Sequence, residues 1–406
     1  MFKQGCVRYL VLIGVLLFSL QSYASFIEST VGTAVVNDAT ATYHNPAALT
    51  LLKNPQIITL GSIAYFNSRF TGQIIQPATG YTQAGSSSAQ THYYLPSFYL
   101  GLPTSKNVTV GFAVISNLFN RDIESNSILR YVQSSNQIQD IDLVPAIGIK
   151  LNNLFSVGAG VTISRADFIL QPISGPQGLT VPDSQSHNES SGTSWGGDAG
   201  ILLTPSRSTL IGFDYHSSII YQLNGKSILE TNPSLISNNY RFKFWTPARS
   251  VFSVSQFVTP ALGFIGTIQR IQWDVFKTVN IYGIATAIGG QPVIVPSATV
   301  NFHLHNSWIL TLGSHYRVTP KWVVRAAATY NQSPSNGDYQ ISNGDSIILG
   351  ASTGYDLNKY ITIDGSYAHA FIQNQTIHIT TGRNIIDGVN KGFRDAVSLK
   401  LTFNIF

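Results

Sequence analysis

The residues that come closest to a catalytic motif form the run Gly350-Ala351-Ser352-Thr353-Gly354. This run fits the Gly-x-Ser-x-Gly pattern, in which a serine stands on a sharp turn between a strand and a helix. Here Ile347–Tyr355 alternates straight through the motif, so a strand is predicted where the turn is required. No paired acids or metal-ligand clusters accompany Ser352. We therefore expect no enzyme, no cofactor and no metal.

The single cysteine, Cys6, lies in a segment typical of a secretory signal peptide. Lys3 and Arg8 precede the apolar run Tyr9–Leu20, and a small-x-small cleavage site follows. We predict a cleaved signal peptide over residues 1–24. The mature chain would then have no thiol, which excludes disulfides, thiolate catalysis and cysteine-metal sites.

Composition indicates a chain that meets lipid. Only 11% of the residues are charged while 11% are aromatic, which is a low charge for a surface in water. No later stretch approaches the roughly 18 apolar residues of a membrane helix, so strands must do any spanning. The formal net charge of +5 falls when the signal peptide leaves, and it is too mild to imply nucleic acid.

Alternation dominates from Gln56 onward. The chain divides into about fourteen segments, each near the length of a tilted membrane strand. Short connections such as Thr104–Asn107 alternate with long ones such as Gln76–Gln90 and Gln222–Thr246. Tight periplasmic turns and long external loops are typical of an outer-membrane barrel. The sequence therefore predicts an all-β, antiparallel transmembrane barrel over residues 56–406.

The two faces of the predicted strands differ in polarity. In Asn306–Arg317, Trp308 and Leu310 share one side, while Thr311 and His315 share the other. Apolar and polar side chains thus alternate with a period of two residues, as in a β-strand. We predict an apolar outer face and a polar lumen.

The stretch Gly32–Leu49 is small, polar and rich in turn signals. Asp38 and Asn45 can bond their own backbone, and Pro46 starts a turn and cannot donate to a ladder. We predict a plug over residues 25–55. The alternative is a simple turn before the first strand.

This stretch resembles the N-terminal hatch of the FadL-type outer-membrane transporters of long-chain fatty acids and other hydrophobic compounds. The family pattern is Gly-x-Ala, then Asp-Ala, then Asn-Pro-Ala. The matching residues here are Gly32, Ala34, Asp38, Ala39, Asn45, Pro46 and Ala47. Further similarity lies in Asn306–Phe371.

The resemblance implies a bacterial outer-membrane barrel of fourteen strands, plugged by the hatch. It implies that a hydrophobic ligand diffuses from an outer groove to an inner pocket. From there the ligand would move laterally into the bilayer through a gap beside a kinked third strand. The expected partners are a long-chain fatty acid or similar hydrophobic molecule and outer-membrane lipid, and not nucleic acid. We expect a monomer.

The family binds the fatty-acid carboxylate with basic residues that line the barrel. By resemblance, Arg165 takes one of these positions, and His305 replaces a lysine at another, with His303 also on the inward side. Arg165 shares its strand face with apolar residues. To reach a ligand in the lumen it would therefore need a β-bulge that changes the alternation, or a position at the rim of the barrel. Because histidine is only partly charged near neutrality, the ligand could be a carboxylate or a neutral hydrocarbon.

A predicted external loop carries apolar residues at roughly helical spacing, among them Ile128, Leu129 and Val132. Exposed apolar patches often mark ligand or partner surfaces. The alternative is that these residues pack the loop onto its neighbours.

A structural charge pair is predicted between Arg325 and Asp364, which face the lumen on the first and third of three consecutive strands. Two strand spacings are roughly 9.6 Å, which an arginine and an aspartate can bridge. Between them, Gly350 and Ser352 leave room for the side chains. Pairing lowers the cost of a charge in a partly dry lumen. Asn45 of the plug is expected to bond this pair.

Two other classes of membrane barrel compete with a plugged transporter. A general diffusion porin lines its constriction with many opposed charges, and a purely structural barrel would not need a plug. Conductance distinguishes them, because a plugged barrel should be nearly closed.

Overall fold

The computed structural model describes eleven segments of the chain: residues 34–77, 80–122, 127–130, 135–174, 184–231, 233–275, 278–288, 290–301, 304–335, 344–380 and 385–405. The predicted signal peptide and the first part of the predicted plug lie outside them. None of the helices in these segments has both the length and the apolar character to cross a bilayer.

Two short helical elements precede the strands: α1 (Ala41–His44) and a 3-10 helix (Pro46–Leu51). A second 3-10 helix covers Trp273–Val275. The strands are β1 (Gln56–Gln76), β2 (Tyr81–Pro103), β3 (Val108–Asp122), β4 (Ser135–Lys150), β5 (Phe155–Gln171), β6 (Ile173–Ser174), β7 (Ser184–Ser206), β8 (Thr209–His216), β9 (Ile219–Leu229), β10 (Leu235–Thr246), β11 (Ala248–Phe257), β12 (Leu262–Gln272), β13 (Thr278–Ile288), β14 (Gln291–Asn301), β15 (Ser307–Thr319), β16 (Trp322–Asn331), β17 (Ser346–Asp356), β18 (Ile361–Ile372), β19 (Gln375–Thr380) and β20 (Ile385–Asn404).

The strands close into a fourteen-stranded antiparallel barrel, which confirms the predicted fold. Some of these fourteen consist of two shorter strands in succession: β8 and β9 together form one strand of the barrel, and β10 and β11 together form the next. The wall closes where β1 pairs with β20, from Gln56↔Asn404 to Ile75↔Ile385. A closed barrel leaves no unpaired edge in the membrane, where backbone groups have no water to bond.

Alternation places the apolar side chains as predicted on the outer face. On β15, Trp308 and Leu312 are exposed outward, while Thr311 is buried inward. On β16, Trp322 and Tyr330 are exposed at the two ends of the strand. Aromatic side chains at the two borders of an apolar band are typical of membrane barrels.

Two predicted long loops are wrong, because the strands continue through them. β1 and β2 remain paired as far as Gln76↔Tyr81, so most of Gln76–Gln90 is strand. β9 and β10 likewise cover most of Gln222–Thr246. The strands extend well past the length a bilayer requires, since the ladder can go on bonding outside the membrane.

The prediction of a polar lumen is correct for only part of the wall. Inward side chains on β15 to β20 are mostly polar, for example Thr311 and Ser398. Inward side chains on the outer parts of β5, β9 and β10 are apolar and form the largest buried cluster, with Phe168, Tyr221 and Phe242 among its members. The outer ends of these strands face water on the outside, so their apolar side chains turn inward.

Ser352 of the Gly-x-Ser-x-Gly run lies in the middle of β17. It pairs with Arg325 on β16 and with Ser366 on β18. The strand runs straight through this position, so the turn that exposes a nucleophilic serine is not formed here.

The segment of residues 34–55, called the hatch below, folds inside the barrel without strands. Asp38 Oδ1 accepts from the Thr40 amide at 3.0 Å, and Asn45 Oδ1 accepts from the Ala47 amide at 3.1 Å. These local bonds favour turns over ladder pairing. Inward glycines of the wall make room for the hatch, since a Cβ at Gly158 or Gly200 would overlap hatch atoms.

Candidate functional site

A cavity between the hatch and the outer half of the barrel, called the aromatic cavity below, has a mostly apolar lining. Its aromatic lining residues are Tyr43, Phe168, Tyr221, Phe244, Trp245 and Trp273. The Phe168 and Phe244 ring centroids are 5.2 Å apart at an angle of 63°, which is a favourable edge-to-face contact. Concave, aromatic-lined sites suit small hydrophobic ligands.

The polar groups of the aromatic cavity are more acidic than basic. Arg249 is the only arginine or lysine among its described lining residues, whereas Asp140 and Asp142 both line it. Arg249 Nη2 lies 2.9 Å from His216 Nε2, and Asp214 Oδ2 lies 2.7 Å from the same nitrogen. The guanidinium is thus already held close to an acid, which does not favour a further carboxylate.

Tyr43 of the hatch forms part of the floor of this cavity. The Arg249 guanidinium lies 4.8 Å from the centre of the Tyr43 ring, a cation–π distance. The Tyr43 and His216 rings are 5.2 Å apart. The hatch therefore bounds the site from below and contributes one of its aromatic side chains.

A second cavity, called the charged cavity below, lies between the hatch and the wall formed by β11, β12 and β15 to β20. Its volume is ≈ 200 Å³ against ≈ 60 Å³ for the aromatic cavity. Asp38, Arg325, Asp364 and Lys400 all line it. Its size would admit a ligand, but charges in its lining make it a poor place for an apolar molecule.

The structure brings Arg325 and Asp364 together, with Arg325 Nη1 2.9 Å from Asp364 Oδ1. Lys400 of β20 joins them, since its Nζ lies 3.8 Å from Asp364 Oδ2 and 2.9 Å from Asp38 Oδ2. Burial alone would raise the pKa of Asp38, but the Lys400 ammonium and hydrogen bonds from Thr40 outweigh it, so the pKa lies below the ordinary 3.8. Asp38 is therefore charged and links the hatch to the wall.

The prediction that Asn45 bonds the Arg325–Asp364 pair is wrong. Asn45 Nδ2 donates to Ala34 O at 2.7 Å and to Ile201 O of β7 at 3.1 Å. These two bonds and the one from the Ala47 amide hold the Asn45 side chain against β7, across the barrel from the Arg325–Asp364 pair. Asn45 and Asp38 thus attach the hatch to different walls.

The structure does not place Arg165 and His305 in either cavity. Arg165 lies on the outer face of β5 and pairs with Asp167 at 2.9 Å, with about half of its side chain exposed. β5 keeps its phase here, so no bulge turns the arginine inward. His305 is exposed just before β15 and contacts Asn306 O. His303 lies outside the described residues.

The predicted apolar patch on the external loop is not exposed. Ile128 and Leu129 are buried, in one cluster with Phe70, Ile74, Ile377 and Ile386. The alternative of a loop packed onto its neighbours is correct for these two residues, because inward packing removes their apolar surface from water. Val132 lies outside the described residues.

The sequence did contain a signal for the aromatic cavity. In Tyr240-Arg241-Phe242-Lys243-Phe244, aromatic and basic residues alternate. A charge without an opposite partner is costly inside the barrel, so the basic residues favour the outer face and the aromatic residues the inner one. All three rings are buried. A similar signal exists for Lys400, which alternates with the outward Leu399 and Leu401.

Fold and site together define a plugged outer-membrane barrel with an apolar inner cavity. The chain belongs to the family of outer membrane transport proteins described as OMPP1/FadL/TodX, which matches residues 28–400. The fold, the outer-membrane location and the predicted family resemblance are thereby confirmed.

Three solved structures share the fold. A Pseudomonas aeruginosa FadL homologue is 20% identical, with a TM-score of 0.79 over 92% of this chain and 96% of its own. The Pseudomonas putida toluene transporter TodX is 13% identical, with a TM-score of 0.69 over 93% and 97%. The Ralstonia pickettii toluene transporter TbuX is 16% identical, with a TM-score of 0.62 over 91% and 95%. No curated protein matches this chain.

Proposed function

We propose that this chain takes up small hydrophobic molecules from outside the cell, binds them in the aromatic cavity and releases them sideways into the outer membrane. The observation that carries this proposal is the aromatic cavity itself, closed from below by Tyr43 of the hatch. A hydrophobic ligand in this cavity would lie above the described part of the hatch, which favours release through the wall over release into the periplasm. The toluene transporters of the same fold are consistent with such a ligand.

We further propose that neutral molecules bind better than fatty-acid anions. The aromatic cavity offers Asp140 and Asp142 against the single Arg249, whose Nη2 already contacts His216 Nε2. A fatty-acid anion would lose its hydration here and gain little compensation from the lining. A long-chain fatty acid remains a candidate ligand in its ester or protonated form.

A matched pair of phenylalanine variants tests the binding site. Phe244 is buried on the inner face of β10, whereas Phe252 is exposed on the outer face of β11, in the same strand of the barrel. With toluene as the probe, Phe244→Ala should weaken binding about tenfold, which corresponds to about 1.4 kcal/mol. Phe252→Ala should leave binding unchanged. Equal affinity of both variants and the parent would remove the aromatic cavity from the function.

Planar-bilayer conductance tests the transport class in the same samples. The plugged transporter should show conductance near zero, because the hatch fills the lumen. A general diffusion porin would instead give large steady pores, and such pores in the parent protein would contradict the proposal.

A further inference from the structure

We infer that hydrophobic cargo leaves the aromatic cavity through the wall between β7 and β9, where Gly192–Gly197 faces Ser217–Leu223, with Ile219 as the gate. This inference rests on the proposed uptake function. The family resemblance places a gap beside the third strand, β3. The exit inferred here lies farther along the barrel wall, beyond β5.

The ladder between these strands is interrupted over this stretch. β7 pairs with β8 from Ser206↔Thr209 to Asp198↔His216, and with β9 from Ser191↔Asn224 to Ser186↔Leu229. Between these two ladders, no position of Gly192–Gly197 is paired with Ser217–Leu223, and the second segment is one residue longer. Such a mismatch leaves part of the wall without regular backbone pairing.

Serine side chains supply part of the bonding that the ladder lacks. The Gly197 amide donates to Ser217 Oγ at 2.9 Å, and Ser194 Oγ donates to Ile220 O at 2.7 Å. The Ser217 amide donates to Gly197 O at 2.8 Å. The first two of these bonds involve a serine side chain and can break by its rotation alone, whereas the third joins two backbone groups. The stretch is thus held by fewer backbone bonds than a regular ladder would supply.

The cavity and the outer surface meet at this stretch. Gly196, Gly197, Ser217 and Ile219 line the aromatic cavity. On the other side of the same backbone, Trp195 is 73% exposed and Ile220 is 50% exposed. Because the two glycines have no side chains, the wall here is one backbone thick.

Ile219 is placed to close this thin wall. A Cβ at Gly196 would lie 2.7 Å from Ile219 Cγ1, so the isoleucine side chain rests directly on the glycine. Ile219 itself is buried, with 8% of its surface exposed. Rotation of one aliphatic side chain would connect the cavity with the bilayer.

Ladder pairing is also interrupted on the other side of β9, where β8 and β9 meet β10 and β11. Ser217 and Ser218 separate β8 from β9, and Pro247 separates β10 from β11 directly beside them. Pro247 has no amide hydrogen to donate to a ladder. Ser218 Oγ donates to Thr246 O instead. The β9–β10 ladder begins at Ile219↔Thr246, so ladder pairing is missing on this flank only at Ser217 and Ser218, directly before Ile219.

The wall beside β3 is more regular. β3 pairs with β4 without a break from Val108↔Ile149 to Arg121↔Asn136. Its ladder with β2 keeps one register and skips only Leu95 and Pro96. No register shift occurs there, in contrast to the β7–β9 boundary.

Two engineered disulfides compare the two walls. A Cβ at Gly196 would lie 3.1 Å from Ser217 Oγ, the place of the sulfur in a cysteine at position 217, which is close enough for a disulfide. The added Cβ would also displace Ile219 Cγ1, 2.7 Å away, so the reduced form of the same variant is the control. Gly196→Cys with Ser217→Cys therefore staples the proposed exit. Ser97→Cys with Ile115→Cys staples the β2–β3 wall at a paired position that lines neither cavity. Cys6 is the only native cysteine and lies in the predicted signal peptide.

Uptake of radiolabelled toluene by cells that carry each variant in a lipopolysaccharide-containing outer membrane is the readout, with toluene binding by the purified protein measured in parallel. The oxidised Gly196–Ser217 pair should lose uptake down to the level of cells without the protein, keep its binding, and regain uptake on reduction. The oxidised Ser97–Ile115 pair should transport like the parent. Full uptake by the oxidised Gly196–Ser217 pair, or loss of uptake only in the β2–β3 pair, would overturn the exit. Absence of both binding and uptake in the parent would instead overturn the proposed function.

A gate variant provides a test that does not depend on crosslinking. Ile219→Ala removes the side chain that covers Gly196 and should raise the initial uptake rate. Its neighbour Ile220→Ala, on the outer face, should not change the rate. A lower rate in Ile219→Ala, with binding preserved, would contradict the gate.

Discussion

The wall from β15 through β20 and the wall from β7 to β11 contain the same kind of strand, yet they close differently. The β16–β17, β17–β18 and β18–β20 ladders each run in one register without a gap, and the ladder on β20 is interrupted only farther out, between Phe371↔Phe393 and Gln375↔Asn390. Between β7 and β9 the ladder is interrupted and shifts by one residue. The regular wall faces the charged cavity and the interrupted wall faces the aromatic cavity.

This difference separates two tasks within one barrel. On the regular wall, Lys400 binds Asp38 of the hatch and also lies beside Asp364. On the interrupted wall, aromatic side chains offer a site for an apolar molecule. The hatch is bonded to both walls, to Lys400 on the regular one and to Ile201 O of β7 below the interruption. It can therefore stay closed while the interrupted stretch moves, and the bilayer route does not require an aqueous pore.

The largest effect is expected from a side chain that cannot coexist with the hatch. A Cβ at Gly200 would overlap Asn45 Oδ1, so Gly200→Leu should push the hatch from its place and give a steady pore in planar bilayers. Gly61→Leu is the matched control, because a Cβ at Gly61 meets open space. A Gly200→Leu protein that folds as a barrel and stays closed would show that the hatch is held without the Asn45 contact.

A smaller effect is expected from the charged attachment. Asp38→Ala removes the direct partner of Lys400, and loss of this charged hydrogen bond should loosen the hatch by about 2 kcal/mol. Asp364→Ala should loosen it less, because the Asp38–Lys400 contact at 2.9 Å remains. Protease access near Asn45 measures both, with the exposed Asp167→Ala as control. If Asp364→Ala opens the hatch as much as Asp38→Ala, Asp38 is not the direct attachment.

The smallest effect is expected for the basic residues that the family resemblance placed at the ligand. Arg165 lies on the outer face and His305 is exposed before β15, so Arg165→Ala and His305→Ala should leave the affinity for a fatty acid and for its methyl ester unchanged. The ester should bind more tightly to all three proteins. Selective loss of acid binding in either variant would restore the carboxylate interpretation.

The orientation of the wall residues could be predicted from the sequence, because it depends only on the alternation of residues within each strand. Period-two alternation assigns Trp308 and Thr311 to opposite faces without knowledge of any other strand. The Arg325–Asp364 pair could also be predicted, since the two residues lie on the first and third of three strands that follow one another along the chain. Counting strands and faces was sufficient in both cases.

The contacts of the hatch could not be predicted in the same way. Asp38 and Lys400 are 362 residues apart, and their contact depends on how the hatch folds inside a closed barrel. Local turn chemistry explains why Asn45 bonds the Ala47 amide, but it does not say which wall strand Asn45 faces. The exit at Gly196 likewise depends on a register shift that has no simple sequence signature.

The central claim is that cargo binds in the aromatic cavity and not in the larger charged cavity. A crystal soaked in bromobenzene tests this directly, because bromine can be located by its anomalous scattering. We predict one bromine peak in contact with Phe168, Phe244 or Trp273. A peak beside Arg325 and Lys400, with none in the aromatic cavity, would contradict the account.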